Sequence, residues 1–121
     1  MRVKKVKIGI KPLEGVLSDA KAVMKRIEQG EKVQKDTGVY FTSLEVFRKA
    51  LTPKRLELLR VIKNEKPGSL RELAELTKRD VKNVSDDVKH LEQAGLIERR
   101  GEGRATRPTI AYDTIALEIA I

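Results

Sequence analysis

Between Lys78 and Arg107 the chain carries hydrogen-bonding and cationic side chains at spacings suited to a polyanion with readable edges. An asparagine such as Asn83 can bond adenine N7 and N6 together, and a lysine such as Lys82 can reach guanine O6 and N7. Asp86, Lys89 and His90 follow these two at helical steps, so one helix would present all five on a common side. Lys78 and Arg79 precede the group, and Arg99, Arg100, Arg104 and Arg107 follow it. Cations on both flanks of a polar helix face are placed to grip phosphates, contacts that set position without reading sequence. Arg104, at a glycine-containing tip, suits a minor groove.

The same helix also carries Asp80, Asp86 and Asp87, which oppose phosphate binding. Asp80 is expected to cap the helix, its carboxylate accepting the free N–H groups of the first turn. Asp87 lies toward the flank and is expected to pair with a nearby basic residue. Asp86 faces outward and admits two readings. It either balances Lys82 and Lys89, each pair contributing ~0.3–0.5 kcal/mol, or it acts on DNA, accepting from a cytosine amino group or repelling phosphates and so enforcing register. Lys54 and Arg55, at the start of an earlier helix, are expected to be solvated.

Catalysis has little to build on. His90 is the only histidine and there is no cysteine, so thiolate and histidine-cluster metal sites are excluded. No phosphate-cradling glycine loop occurs, since "GEG" at 101–103 is too short. No catalytic residue, metal or cofactor is expected, and the chain reads as a binding protein. Its 121 residues carry a net charge of +8, with an excess of six positive charges over residues 1–52, four over 53–107 and two negative charges over 108–121. The balance favours a polyanionic partner without locating it. No apolar run matches a membrane span, and the basic start lacks a signal-peptide stretch. A cytoplasmic protein without membrane contact is expected.

The elements that must position these residues follow from periodicity. Val6, Ile8 and Ile10 alternate as a short strand. Pro12 suits a first helical turn, and Leu13, Val16, Leu17, Ala20, Met24 and Ile27 form an amphipathic stripe ending near Gly30. "EQGEKVQKDTG" reads as a connector, "VYF" as an extended piece, and Ser43 starts a short helix. Thr52 and Pro53 open the next helix, with Leu56, Leu59, Val61 and Ile62 as its buried stripe. Ser69 and Glu72 form a capping-box pattern before Leu70, Leu73, Ala74 and Leu76. Val81, Val84, Val88 and Leu91 back the polar helix, which Gly95 ends. From there the period becomes two, giving a hairpin around "GEGRA" and a last strand with Ile115, Leu117 and Ile119 on one side.

Helix, helix, helix, strand, strand is the order of a winged helix-turn-helix, here α+β with an N-terminal strand-plus-helix extension. "VSDDVKHLEQAGLIERRGEGRATRP" resembles the recognition helix and wing of MarR- and ArsR-like regulators. "LTPKRLELLRVI" and "RELAELTKRDVKNVSDDVKHLEQAGLIE" resemble small predicted archaeal and bacterial transcriptional regulators, some of which act as antitoxins. The resemblance implies a DNA-binding domain over 51–113, preceded by a dimerisation or partner-binding segment, 1–50, and followed by a strand, 114–121. It implies a homodimer on double-stranded DNA, acting as a repressor, or alternatively an antitoxin that covers a cognate toxin. Val6–Ile10, the helix with Leu17, Met24 and Ile27, and the edge strand Ile115–Ile121 are expected to be covered in a dimer, by two edge strands or two helices packed across a two-fold axis.

Overall fold

The computed structural model describes residues 4–30, 38–101 and 106–121, without the side chains of residues 13–16, 19 and 23. The expectations for the side chains of Leu13 and Val16, for residues 31–37 of the 28–38 connector and for Arg104 fall outside the described residues. The chain is mixed α+β, running β1 (Lys5–Ile10), α1 (Leu13–Glu28), β2 (Val39–Phe41), α2 (Leu44–Ala50), α3 (Pro53–Glu65), α4 (Leu70–Thr77), α5 (Val81–Gln93), β3 (Glu98–Arg100), β4 (Arg107–Thr109) and β5 (Thr114–Ile119).

Strand β1 lies in the middle of a three-stranded sheet, with β2 and β5 parallel on either side. Val6 sits opposite Ile115, Ile8 opposite Leu117 and Ile10 opposite Ile119, which puts the apolar rows on one face. The other face is polar, and there Lys7 and Glu118 pair at 2.8 Å. Gly9 belongs to that face, and a Cβ on it would lie 2.8 Å from the Tyr40 ring. The absent side chain lets Tyr40 rest on the strand. Because β1 is paired on both sides, it is not an edge open to a second copy, contrary to the expectation from sequence. Asp113 fastens the sheet to the helices. Its backbone N–H donates to the Lys4 carbonyl at 2.7 Å, its carboxylate accepts from Lys4 N at 3.2 Å, and Lys63 pairs with it at 2.8 Å.

Local chemistry opens the central helices. Ser43, Thr52 and Ser69 each accept a backbone N–H three residues on, at 3.1–3.2 Å. Each such cap contributes about 1 kcal/mol. Glu72 departs from the expected capping box, accepting from the N–H of Gly68 at 2.9 Å instead of that of Ser69. Pro12 is the residue before α1 and keeps an extended backbone, one position earlier than expected. Asp80 occupies the cap position of α5, yet its side chain makes no capping hydrogen bond, so the expected carboxylate cap is absent.

One apolar cluster joins Val6, Ile8 and Phe41 of the sheet to Leu58 and Ile62 of α3, Leu73 of α4, and Val84, Val88 and Leu91 of α5. Burying one such side chain contributes about 1.5–3 kcal/mol. The buried line of α3 is Leu58, Leu59 and Ile62, which keeps Leu59 and Ile62 of the expected stripe and puts Leu58 in place of Leu56 and Val61. Leu56, about 160° round the helix from Leu58, is only partly buried, as is Val61. Leu76 and Val81 are also exposed, because both flank the link between α4 and α5. On α1, Leu17, Met24 and Ile27 are 55–62% exposed, so the described residues leave these three side chains largely uncovered.

Candidate nucleic-acid interface

Helix α5 is held on its inner side by Val84, Val88 and Leu91, all fully buried. At its end Gly95 takes the left-handed backbone (φ +85°), and the N–H groups of Gly95 and Leu96 close on Glu92 and Leu91. At its start Lys78 is left-handed too (φ 54°), and the Arg79 N–H returns to Ala74 at 3.0 Å. The α4–α5 link is thus a tight turn, and the direction of α5 is set at both ends.

Asp87 supplies the third constraint. It accepts from Arg79 at 2.7 Å and from Arg55 Nε at 3.0 Å, and each of the three side chains is about four-fifths buried. Arg55 also donates to the carbonyls of Lys49 and Ala50 at 3.0 Å each. One carboxylate therefore ties α5 to α3, to the end of α2 and to the α4–α5 link. Burial alone would raise the Asp87 pKa. The hydrogen bonds and charges of Arg79 and Arg55 outweigh it and hold the carboxyl below its ordinary value. The expected basic partner of Asp87 is present, but Arg55 is not the solvated first-turn residue the sequence suggested. Arg79 is turned inward, with its Nη1 buried and unpartnered. It does not join the outward group. Only the flank position of Asp87 hinted at this hub, since its partners lie 8 and 32 residues away.

Lys82, Asn83, Asp86, Lys89 and His90 are all exposed on α5, with Lys78 beside them on the link. The expected pairs of Asp86 with Lys82 and Lys89 are absent, and its carboxylate has no ion partner among the described residues. The Asp86 backbone carbonyl lies 2.8 Å from His90 Nδ1, which suits an Nδ1–H donor.

Strands β3 and β4 pair antiparallel, with Arg99 opposite Pro108 and Arg100 opposite Arg107. Arg99 is bonded to Glu92, which joins the hairpin to α5. Arg100 has only a loose contact, 3.8 Å, with Glu98, and Arg107 has no ion pair among the described residues. Tyr112 closes the arrangement from behind. Its hydroxyl donates to the Leu96 carbonyl at 2.7 Å, and burial pushes the phenol up to about 12. The result is a rigid polar helix face beside a hairpin that carries exposed guanidinium groups.

No helix among the described residues is long and apolar enough to cross a membrane. No curated protein matches the chain. Residues 50–117 match the model of the HVO_A0114 family, from the last residue of α2 into β5. That match takes in the polar helix, the hairpin and the Asp87 hub, and it exceeds half of the sequence: the chain belongs to the HVO_A0114 family.

Proposed function

We propose that α3, α4, α5 and the β3–β4 hairpin form a winged helix-turn-helix, and that the protein is a sequence-specific regulator of transcription on double-stranded DNA. The observation that carries this reading is the outward face of α5. Five polar residues stand exposed there on a helix locked at both ends and at Asp87. Helices that read bases need such rigidity, because hydrogen bonds to base edges tolerate little misplacement. In this reading Lys82 and Asn83, in the first turn, meet base edges. Lys78, Arg100, Arg107 and the wing-tip Arg104 hold phosphates, and Arg99 orients the wing through Glu92. Arg79 acts from within, as a positioning residue bonded to Asp87.

The regulator works as a homodimeric repressor in the cytoplasm, occluding a promoter, with no catalytic step. The exposed stripe of α1 supports a protein partner for that segment. A second copy is the preferred one. A toxin covered by the same stripe is the alternative, and it would leave the free chain monomeric. The test is selection of bound duplexes from a random pool, followed by binding measurements on the enriched and scrambled sites. A two-fold symmetric enriched site is the expected result. Enrichment of nothing, at low salt as well as high, refutes the DNA reading.

A further inference from the structure

A second site lies beside the hairpin, away from the reading face of α5. A cleft of about 400 Å³ opens between the end of α3 and the β3–β4 hairpin, and this volume lies in the range of small-molecule sites. Ile110 and Ala111, which keep exposed surface, contribute its apolar part, with Ile62 and Pro67 buried beneath. Lys63, Lys66, Arg100 and Arg107 line it, and among the described residues no carboxylate does.

Two features of this cleft work against stability in the empty protein. Arg100 and Arg107 are direct cross-strand neighbours, so two guanidinium groups sit opposite each other on one face of a short hairpin. Like charges so placed are destabilising. Glu98 relieves them little at 3.8 Å, since both partners of that contact are two-thirds exposed. Lys66, at the end of α3, holds a left-handed backbone (φ 48°) that glycine adopts at lower cost. Lys78 ends α4 in the same left-handed backbone (φ 54°), so this conformation is how the chain closes a helix; at α3 it places a cation on the cleft.

Charge stoichiometry identifies the ligand class. Lys63 is neutralised by Asp113, and Arg100 is offset in part by Glu98. Lys66 and Arg107 have no ion partner among the described residues. Among the described residues, about two positive charges are left to a ligand that also meets an apolar wall. Guanidinium forks match phosphate oxygens in geometry. A phosphate monoester carries about −1.5 to −2 at neutral pH, whereas a phosphodiester carries a single charge.

We propose that this cleft binds a small phosphate monoester, with Lys66, Arg100 and Arg107 around the phosphate and the organic body against Ile110 and Ala111. If the DNA-binding reading also holds, ligand and DNA backbone compete for Arg100 and Arg107, and occupation of the cleft releases the operator. Binding of the ligand itself does not depend on that reading.

The test is an amide NMR titration of the full chain at low salt, without DNA. Phenyl phosphate is the probe, dimethyl phosphate the diester control and phenol the neutral one. Phenyl phosphate is expected to shift the amides of Lys66, Gly68, Arg100 and Ile110 saturably, at least about tenfold more tightly than dimethyl phosphate, with no saturation by phenol. Lys66→Gly relieves the backbone and so stays folded, and Arg107→Gln removes the like-charge pair. Each should weaken phenyl phosphate by about tenfold or more, while Lys82→Ala on α5 leaves it unchanged. Equal binding of monoester and diester overturns the proposal and makes the cleft a seat for nucleic-acid backbone. So does the absence of saturable shifts, or a Lys66→Gly variant that binds as the native chain does. A DNA competition run separately keeps the two readings apart. If no duplex ever binds, the regulator reading fails and the titration result stands.

Discussion

Replacing Asp87 by alanine should unfold the helix array more than any other single surface-facing change in α5. The carboxylate accepts two charge-assisted hydrogen bonds, from Arg79 at 2.7 Å and Arg55 at 3.0 Å, and its side chain is only 18% exposed. Such bonds contribute about 1.5–3 kcal/mol each. Removing one member of a largely buried ion group leaves charge without a partner, at a cost of about 3–5 kcal/mol. Native domains have only about 5–15 kcal/mol in hand, so the loss should be plain in urea denaturation followed by circular dichroism. Asp86→Ala, one residue away and without an ion partner, is the control and should stay within about 0.5 kcal/mol. The pH dependence has a definite sign. The folded pKa of Asp87 is below its ordinary value of 3.8, so its contribution is fully present above that value. It is lost as pH falls through the lowered pKa. The gap between native chain and Asp87→Ala should therefore be constant near neutrality and close in acid. A gap under about 1 kcal/mol at neutral pH would mean that the arginines find water instead, and that Asp87 is not what sets α5.

Three further outcomes are expected. Arg107→Ala should weaken specific and scrambled duplexes together and lower the slope of log affinity against log salt by about 0.9, whereas Asn83→Ala should act at one base position per half-site. An unchanged slope for Arg107→Ala would take the hairpin off the phosphates. Asp86→Ala should relax preference at one base pair by roughly 1–3 kcal/mol if it reads cytosine, or tighten all duplexes alike if it only repels phosphate; no effect of either kind would remove it from the interface. Light scattering should give a dimer for the full chain at about ten micromolar and a monomer for Met24→Asp, and a monomeric native chain would leave α1 to a different partner.

What could be read from sequence was the chemistry that acts within a few residues. Ser43, Thr52 and Ser69 cap as their types predict, and Gly95 ends α5 in the left-handed backbone, because caps depend on neighbours three or four positions away. Choices made by packing were less legible. Leu58 and Val61 are both apolar on α3, and only the placement of α4 and α5 decides which of them is sealed. Asp80 and Glu72 have the right types in the right places, yet one makes no cap bond and the other turns to Gly68. For the candidate site, the exposed face of α5 followed from periodicity. The inward turn of Arg55 and Arg79 did not, since it depends on a carboxylate brought near by folding. The central place of β1 was also hidden, because its partner β5 lies at the far end of the sequence.

That last pairing has a consequence for how the molecule is made. Lys5 meets Thr114, so the first strand finds its main neighbour 109 positions later. At about 5–20 residues per second on the ribosome, β1 is out for roughly 5–20 s before β5 exists. The contacts among α3, α4 and α5 are local and form early, while the sheet is a late, high-contact-order event. Throughout that wait one edge of β1, with Val6, Ile8 and Ile10, has only the short β2 on its other side, and an open apolar edge is the kind of segment that recruits other nascent chains. Lys4, Lys5, Lys7 and Lys11 surround it, and interspersed like charges are a common guard against such association. Neutralising these lysines should lower soluble yield during synthesis far more than it lowers the stability of the purified, folded protein.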